Sequence, residues 1–212
     1  MKIALINENS QASKNEIIYN SLKEVCNKKN YEVYNLGMTK VDDNNLTYVQ
    51  NGLLAAILLN TKTVDFVVTG CGTGEGAMLA LNSFPNVECG LVIDPTDAYL
   101  FSQINAGNAV SIPFAKGFGW GSEVTLTYIF EKLFSTPFGG GYPVERKEPE
   151  QKNKKILDEV KKITHKDMLS IIKEIDKQFL KDTINRQNFK DFFFKNAKES
   201  EIKTYLEELL EN

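Results

Sequence analysis

Seven consecutive residues, Gly70-Cys71-Gly72-Thr73-Gly74-Glu75-Gly76, carry the densest chemistry in this chain. They follow a short apolar run ending at Thr69 and precede a helical pattern, which places the glycines in a strand-to-helix turn. Glycine tolerates positive φ and close backbone approach, so successive N–H groups can converge on one anionic oxygen. The helix start adds unpaired amides and a partial positive charge. Such a turn suits a phosphate or a developing enediolate. No Lys-Ser/Thr follows the last glycine, which excludes a Walker A loop. The spacing also departs from the dinucleotide fingerprint G-x-G-x-x-G, and the turn follows the third predicted strand rather than the first.

Three side chains add function to this backbone. Cys71 stands where the strand stops, a placement that can depress a thiol pKa below its free value of about 8.5. Thr73 offers a hydroxyl that can pass a proton between neighbouring oxygens. Glu75 falls in the first helical turn, where the dipole favours a carboxylate. Each has a plainer reading: a small buried strand-end residue for Cys71, a helix-start charge for Glu75, a tight turn for the glycines. Together they make the loop a candidate proton-transfer site.

The elements that must hold this loop follow from the pattern of residues 1–135. Apolar runs at Lys2–Ile6, Glu32–Asn35, Asp65–Thr69, Cys89–Ile93 and Ala109–Ile112 read as strands buried on both faces. Helical patterns fill the gaps at Lys14–Lys28, Thr47–Asn60, Glu75–Ser83, Ala98–Ile104 and Glu123–Phe134. The alternation predicts an α/β fold, a three-layer Rossmann-like arrangement of five parallel strands, with ligands beyond the carboxyl ends of the strands. After Gly139–Pro143 the composition turns to Lys, Glu, Ile, Leu and Phe at helical spacing. This divides the chain into an α/β domain over 1–146 and a helical extension over 147–212 for core or subunit packing. Thr164-His165-Lys166-Asp167 reads as a capping-box-like helix start, with Ile171, Ile172, Ile175, Phe179 and Leu180 as its apolar stripe.

Composition removes several function classes. The 212 residues carry a net charge of −3, which argues against a nucleic-acid footprint. No run of about 18 apolar residues is present and the first apolar stretch is short, so the expectation is a cytoplasmic protein with no membrane association. The widely spaced Cys26, Cys71 and Cys89 give neither a disulfide framework nor a metal pattern. With His165 the one histidine, and Arg146 and Arg186 the only arginines, a His-based triad or multi-histidine metal site is excluded. No metal or organic cofactor is expected.

Beyond these readings, Cys71-Gly72-Thr73-Gly74 followed by Asn82, Asp94-Pro95, Ala98, Ser102, Asn105 and Asn108 resembles the ribose-5-phosphate isomerase B / galactose-6-phosphate isomerase family. The similarity covers residues 1 to about 146, and Lys14-Asn15-Glu16-Ile17 and Tyr48 extend it toward the N-terminus. The resemblance implies an aldose–ketose isomerase acting through an enediolate. Cys71 would move a proton between C1 and C2, Thr73 would handle hydroxyl protons, and the amides of Gly72, Gly74 and Gly76 would hold the enediolate. Some members lack the cysteine and use a glutamate at the position of Glu75. The resemblance further implies a homodimer with shared sites, which would put Asn105 in the partner's site. Asn7, Glu8, Tyr48, Gln50, Asp94, Asn108 and Arg146 complete the implied substrate contacts.

Four departures from the family pattern bear on the substrate. The histidine expected before Asn105, which opens a cyclic sugar, is Ile104; the Asp-His pair after the first strand is Asn7-Glu8; a histidine two residues after Tyr48 is Gln50. The two arginines that clamp phosphate reduce to Arg146, with Lys147 beside it. An isoleucine transfers no proton, and one arginine matches one planar carboxylate better than a phosphate dianion. An open-chain uronate fits both losses. The longer chain, Gly139–Pro143 and the helical tail resemble the 4-deoxy-L-threo-5-hexosulose-uronate ketol-isomerase branch of the family. Two alternatives stay open: a phosphosugar isomerase using Lys116, Arg146 or Lys147, and a non-catalytic carbohydrate-binding relative. Cys71 and Glu75 also pose a choice, because two neighbouring groups are poor candidates for being anionic bases at once. The reading taken is Cys71 as base and Glu75 orienting a substrate hydroxyl. Phe118-Gly119-Trp120-Gly121 reads as a tight aromatic turn, and Cys26 and Cys89 as buried thiols.

Overall fold

The computed structural model describes residues 1–43 and 45–211. Five strands, β1 (Lys2–Asn7), β2 (Glu32–Asn35), β3 (Phe66–Cys71), β4 (Cys89–Leu91) and β5 (Ala109–Pro113), form one parallel sheet in the order β2-β1-β3-β5-β4. Their side chains alternate between two cores. Ile3, Leu5, Phe66, Val68, Val110 and Ile112 enter one, while Ala4, Ile6, Val67 and Ala109 enter the other. Burial on both faces explains why β1, β3 and β5 read as continuous apolar runs. The edge strands depart from that expectation, with Glu32 of β2 exposed, the rest of β2 half-buried, and Gly90 and Leu91 of β4 half-buried. From β1 the chain steps outward to β2 and then returns across β1 to β3. The switch in strand order therefore falls between the carboxyl ends of β1 and β3, where Asn7 is in register with Gly70.

Helices α1 (Asn15–Lys28) and α5 (Ser122–Leu133) pack on the first core, with Ala98 of α4 (Pro95–Leu100). Helices α2 (Tyr48–Asn60) and α3 (Glu75–Asn82) pack on the second. From Gln50 to Leu59 every residue of α2 is buried, so this helix is enclosed on all sides. Its outer cover is the tail. After α6 (Lys147–Thr164), the short helices α7 (Met168–Glu174), α8 (Lys177–Ile184), α9 (Gln187–Asn196) and α10 (Glu201–Glu211) lay Met168, Ile172, Leu180, Ile184, Phe189, Phe193 and Leu206 into the α2 cluster.

Three local readings need correction. The helix start anticipated at Thr164 is instead the end of α6: the Thr164 hydroxyl bonds back to the Val160 carbonyl at 3.0 Å, and His165 is extended. The cap belongs to Asp167, which accepts from the Ser170 amide at 3.0 Å. The stripe from Ile171 to Leu180 is split between α7 and α8, because Asp176 caps a new helix after Ile175. Helix α4 starts at Pro95, earlier than Ala98, because Asp94 accepts from the Thr96 and Asp97 amides. The Ala106 amide then donates to the Phe101 carbonyl at 2.9 Å, widening the last turn over Phe101–Asn105.

Candidate functional site

The glycine loop lies at the carboxyl end of β3, beside the switch point. Its glycines have different reasons to be there. A Cβ on Gly70 would come within 2.2 Å of the Ile112 carbonyl oxygen and 2.4 Å of the Phe114 ring. Gly74 adopts φ +78 and caps α3, with its carbonyl held by the Ser111 hydroxyl at 2.6 Å. Gly72 has room: a Cβ there would meet only Ala115 Cβ at 3.7 Å and Gln11 Nε2 at 3.8 Å. The amides of Gly72, Thr73, Gly74 and Gly76 donate to no protein acceptor among the described residues. The Glu75 amide instead donates to the Thr73 hydroxyl at 3.3 Å. The loop thus presents a row of free donors around the one open glycine position.

Cys71 is buried at the foot of this row, and a Cβ on Gly76 would lie 3.7 Å from its sulfur and 3.4 Å from the Tyr48 ring. The thiol, the helix start and the half-exposed Tyr48 therefore converge. Thr73 and Glu75 are exposed, and the Glu75 carboxylate stands 3.7 Å from the Lys116 ammonium. The other two thiols are also buried. Burial pushes Cys26 up to about 12 and raises Cys89 well above the usual thiol range.

The end of β1 forms the facing wall. Asn7 and Glu8 are both buried; Asn7 donates to the Gln11 carbonyl at 3.3 Å, and its own side-chain oxygen accepts no protein hydrogen bond. Glu8 accepts from the Ser10 amide at 2.9 Å and the Ser10 hydroxyl at 2.6 Å. Next to it, Gln11 Nε2 donates to Ser10 Oγ at 3.0 Å and Gln11 Oε1 accepts from Lys14 Nζ at 2.8 Å. Lys14 Nζ also donates to the Phe114 carbonyl at 2.5 Å and lies 4.5 Å from the Phe118 ring centroid. Gln11 was not singled out in the sequence, and Lys14 stood out only as part of a motif. Their roles arise from a 3-10 turn over Asn9–Lys14 that no periodicity announces. The Gln50 side-chain oxygen is committed to capping α2, accepting from the Thr47 amide at 2.8 Å and hydroxyl at 3.1 Å.

The remaining sequence candidates lie elsewhere in the chain. Asp94 is exposed beyond the end of β4 and caps α4. Asn108 precedes β5 and braces the opposite edge of the sheet, accepting from the Glu88 amide at 2.8 Å and donating to the Asn86 carbonyl at 2.7 Å. Because Cys71 is in register with Pro113, five residues on, Asn108 is roughly 16 Å from the loop along the sheet. Asn105, exposed at the end of the widened turn, belongs to that same amino-terminal edge. Arg146 is exposed at the start of α6, in a segment tied to the widened turn by Gly139 and Gly141 amides donating to the Ser102 and Gln103 carbonyls. Tyr142 packs edge-on against Tyr99, and Trp120 is fully exposed. Within one chain, Asn105 and Asn108 are at the end of the sheet away from Cys71.

Among the described residues no helix is long and apolar enough to cross a membrane, and no group of three or more His, Cys, Asp or Glu is arranged for a metal ion.

Comparison with known proteins gives a consistent picture. Residues 3–148 match the family described as Ribose/Galactose Isomerase, and residues 163–209 match a family described as Ribose-5-phosphate isomerase. A crystal structure of a 4-deoxy-L-threo-5-hexosulose-uronate ketol-isomerase complexed with a tartrate is 60% identical, covers 100% of both chains and superposes with a TM-score of 0.97. A ribose-5-phosphate isomerase from Vibrio parahaemolyticus is 48% identical over 99% of both chains, with a TM-score of 0.96. The type B ribose 5-phosphate isomerase of Trypanosoma cruzi, 19% identical, shares the fold over 76% of this chain and 98% of its own, with a TM-score of 0.64. Curated protein sequences give no match. With its switch-point loop and its matches along nearly the whole sequence, the chain belongs to the ribose/galactose isomerase family.

Proposed function

We propose that this protein is an aldose–ketose isomerase of the open-chain uronate 4-deoxy-L-threo-5-hexosulose uronate. The observation that carries the reading is the Cys71 sulfur set against the open row of amides at Gly72–Gly76. Cys71, as thiolate, removes the C2 proton of the hydroxyaldehyde. Electrons move into a C1–C2 double bond, and the carbonyl oxygen gains negative charge facing the free amides. Thr73 transfers the hydroxyl proton between O2 and O1. The Cys71 thiol then returns its proton to C1, leaving a C2 ketone and a C1 alcohol with no net oxidation. Glu75, exposed and paired with Lys116, orients a substrate hydroxyl rather than acting as base.

Two further features support the substrate. The 60% identical relative is a ketol-isomerase of this uronate, and Ile104 leaves no proton donor at the family's ring-opening position. The enzyme acts as a homodimer in which Asn105 and Arg146 of a second copy complete the site, Arg146 pairing with the substrate carboxylate. This arrangement accounts for candidates lying at the far edge of the sheet. It also accounts for α6, which has no buried residue and exposes Ile156, Val160 and Ile163. A second reading, phosphosugar isomerisation, is favoured by Lys14 and Lys116 flanking the loop and by the 48% identical ribose-5-phosphate isomerase.

The test is C2-proton exchange and turnover with the uronate, ribose 5-phosphate and galactose 6-phosphate side by side. The uronate is expected to win by at least about tenfold in kcat/KM, a difference of about 1.4 kcal/mol. Preference for either phosphate would replace the first reading with the second, and tight binding without exchange would make the protein a carbohydrate binder. Cys71→Ala should abolish exchange, while Glu75→Gln should retain part of it. The reverse pattern makes Glu75 the base.

A further inference from the structure

The hydrogen-bond chain Glu8–Ser10–Gln11–Lys14 has a fixed direction. The Lys14 ammonium can only donate, so the amide group of Gln11 must turn its oxygen toward Lys14. Its nitrogen is thereby turned toward Ser10, whose hydroxyl donates its own hydrogen bond to the Glu8 carboxylate. Lys14 is itself held by the Phe114 carbonyl and the Phe118 ring, and the Gln11 carbonyl accepts from Asn7. The amide is therefore fixed in place and in orientation. Nε2 has two hydrogens; one goes to Ser10, and the second has no protein acceptor among the described residues. That nitrogen lies 3.8 Å from the Cβ position of Gly72, the one loop glycine beside which space is open.

We propose that Gln11 is a further substrate-binding residue, whose second Nε2 hydrogen joins the loop amides in donating to the oxygen that becomes negatively charged in the enediolate. Lys14 is the positioning residue that keeps the amide from flipping. The inference rests on the aldose–ketose isomerase reading of the loop. It does not depend on whether the substrate ends in a carboxylate or a phosphate, because the C1–C2 end is common to both. A donor aimed at developing charge strengthens in the transition state, so its loss should act on kcat more than on KM.

The experiment measures kcat, KM and C2 exchange for Gln11→Glu, which is close in shape and keeps an oxygen for Lys14 but replaces the donor with a carboxylate oxygen. The expected result is a fall in kcat of about 100-fold with KM within about threefold, as for removal of one oxyanion donor. Affinity for a hydroxamate analogue of the C1–C2 end should fall in parallel. Lys14→Met should lower kcat by a smaller factor, since a freed amide still donates part of the time. If Gln11→Glu does not fold, Gln11→Met carries the same expectation. Activity within threefold of wild type, or a rise in KM alone, overturns the assignment. A wild-type protein that exchanges no C2 proton with any of the three sugars instead overturns the isomerase reading itself.

Discussion

Gly70 and Gly72 are two residues apart, yet alanine at each should fail for opposite reasons. At Gly70 the added methyl would sit 2.2 Å from the Ile112 carbonyl and 2.4 Å from the Phe114 ring, in the middle of the β3–β5 pairing. Neither neighbour is the free end of a flexible chain, so the strands must part. Overpacking of this kind costs about 1–3 kcal/mol or more. In a chain of this size that lowers Tm by about 5 °C or beyond. At Gly72 the methyl meets its neighbours at 3.7 and 3.8 Å, ordinary contact, and no left-handed φ opposes it. Stability should stay within about 1 kcal/mol of wild type, with a slight gain from a stiffer unfolded chain. Activity should not survive, because the methyl fills the space in front of the free amides and Gln11 Nε2. A loss of about 100-fold in kcat/KM corresponds to about 2.7 kcal/mol of transition-state stabilisation. Urea midpoints and thermal melts give the stability arm, and C2-proton exchange gives the activity arm. A fully active Gly72→Ala would falsify the placement of substrate against the loop. A Gly70→Ala as stable as wild type would show that the sheet yields where close packing says it cannot.

Other outcomes follow from single contacts. Mixing inactive Cys71→Ala with inactive Asn105→Ala and allowing subunits to exchange should restore about a quarter of wild-type activity, because half the dimers are mixed and each holds one intact site; no recovery, with exchange verified, would make each chain's site self-contained. Cys26 and Cys89 have folded-state pKa values raised by burial, Cys26 from about 9 to about 12. Their contribution to stability is thus complete below about pH 9 and is lost as pH rises toward 12, at up to about 1.4 kcal/mol per pH unit for each thiol. Cys26→Ala should show a flatter fall in urea midpoint between pH 8 and 10.5 than wild type. Native labelling with iodoacetamide should reach Cys71, beside the open loop, before Cys26 and Cys89, whose thiols are held protonated by burial, whereas equal labelling of all three would contradict those raised pKa values. Gln50→Ala should cost about 1 kcal/mol through the lost α2 capping box, read by urea unfolding, with kcat unchanged.

Much of the sheet was legible because both faces of the central strands β1, β3 and β5 are buried, so their apolar runs, separated by helical patterns, leave little freedom in type or order. The loop was legible for a related reason. Backbone that must approach Ile112 or take a left-handed turn can be little but glycine, and Gly70 and Gly74 mark those demands directly in the sequence. The tail was less so. Asp176 interrupts what reads as one stripe, since a capping carboxylate can start a new helix without changing the apolar spacing around it. The uniform apolarity of α2 held a sign that something covers its outer face, and only the packing identifies that cover as α7–α10.

The site divides along the same line. Sequence alone singled out the groups proposed to carry the chemistry: Cys71, Thr73 and Glu75 on a glycine turn, with an isoleucine and a single arginine where the resemblance implies ring-opening and phosphate-clamping residues. Local backbone demands and residue types are properties of adjacent positions, so they survive in a one-dimensional reading. Tertiary structure decided which distant segments face that turn. It brought Gln11 and Lys14 across from the end of β1, committed Gln50 to a helix cap, and left Asn105 and Asn108 at the other edge of the sheet. Those outcomes depend on strand register and on which way a side chain leaves a turn. A shift of one residue reverses both, and neither leaves a periodic trace in the sequence.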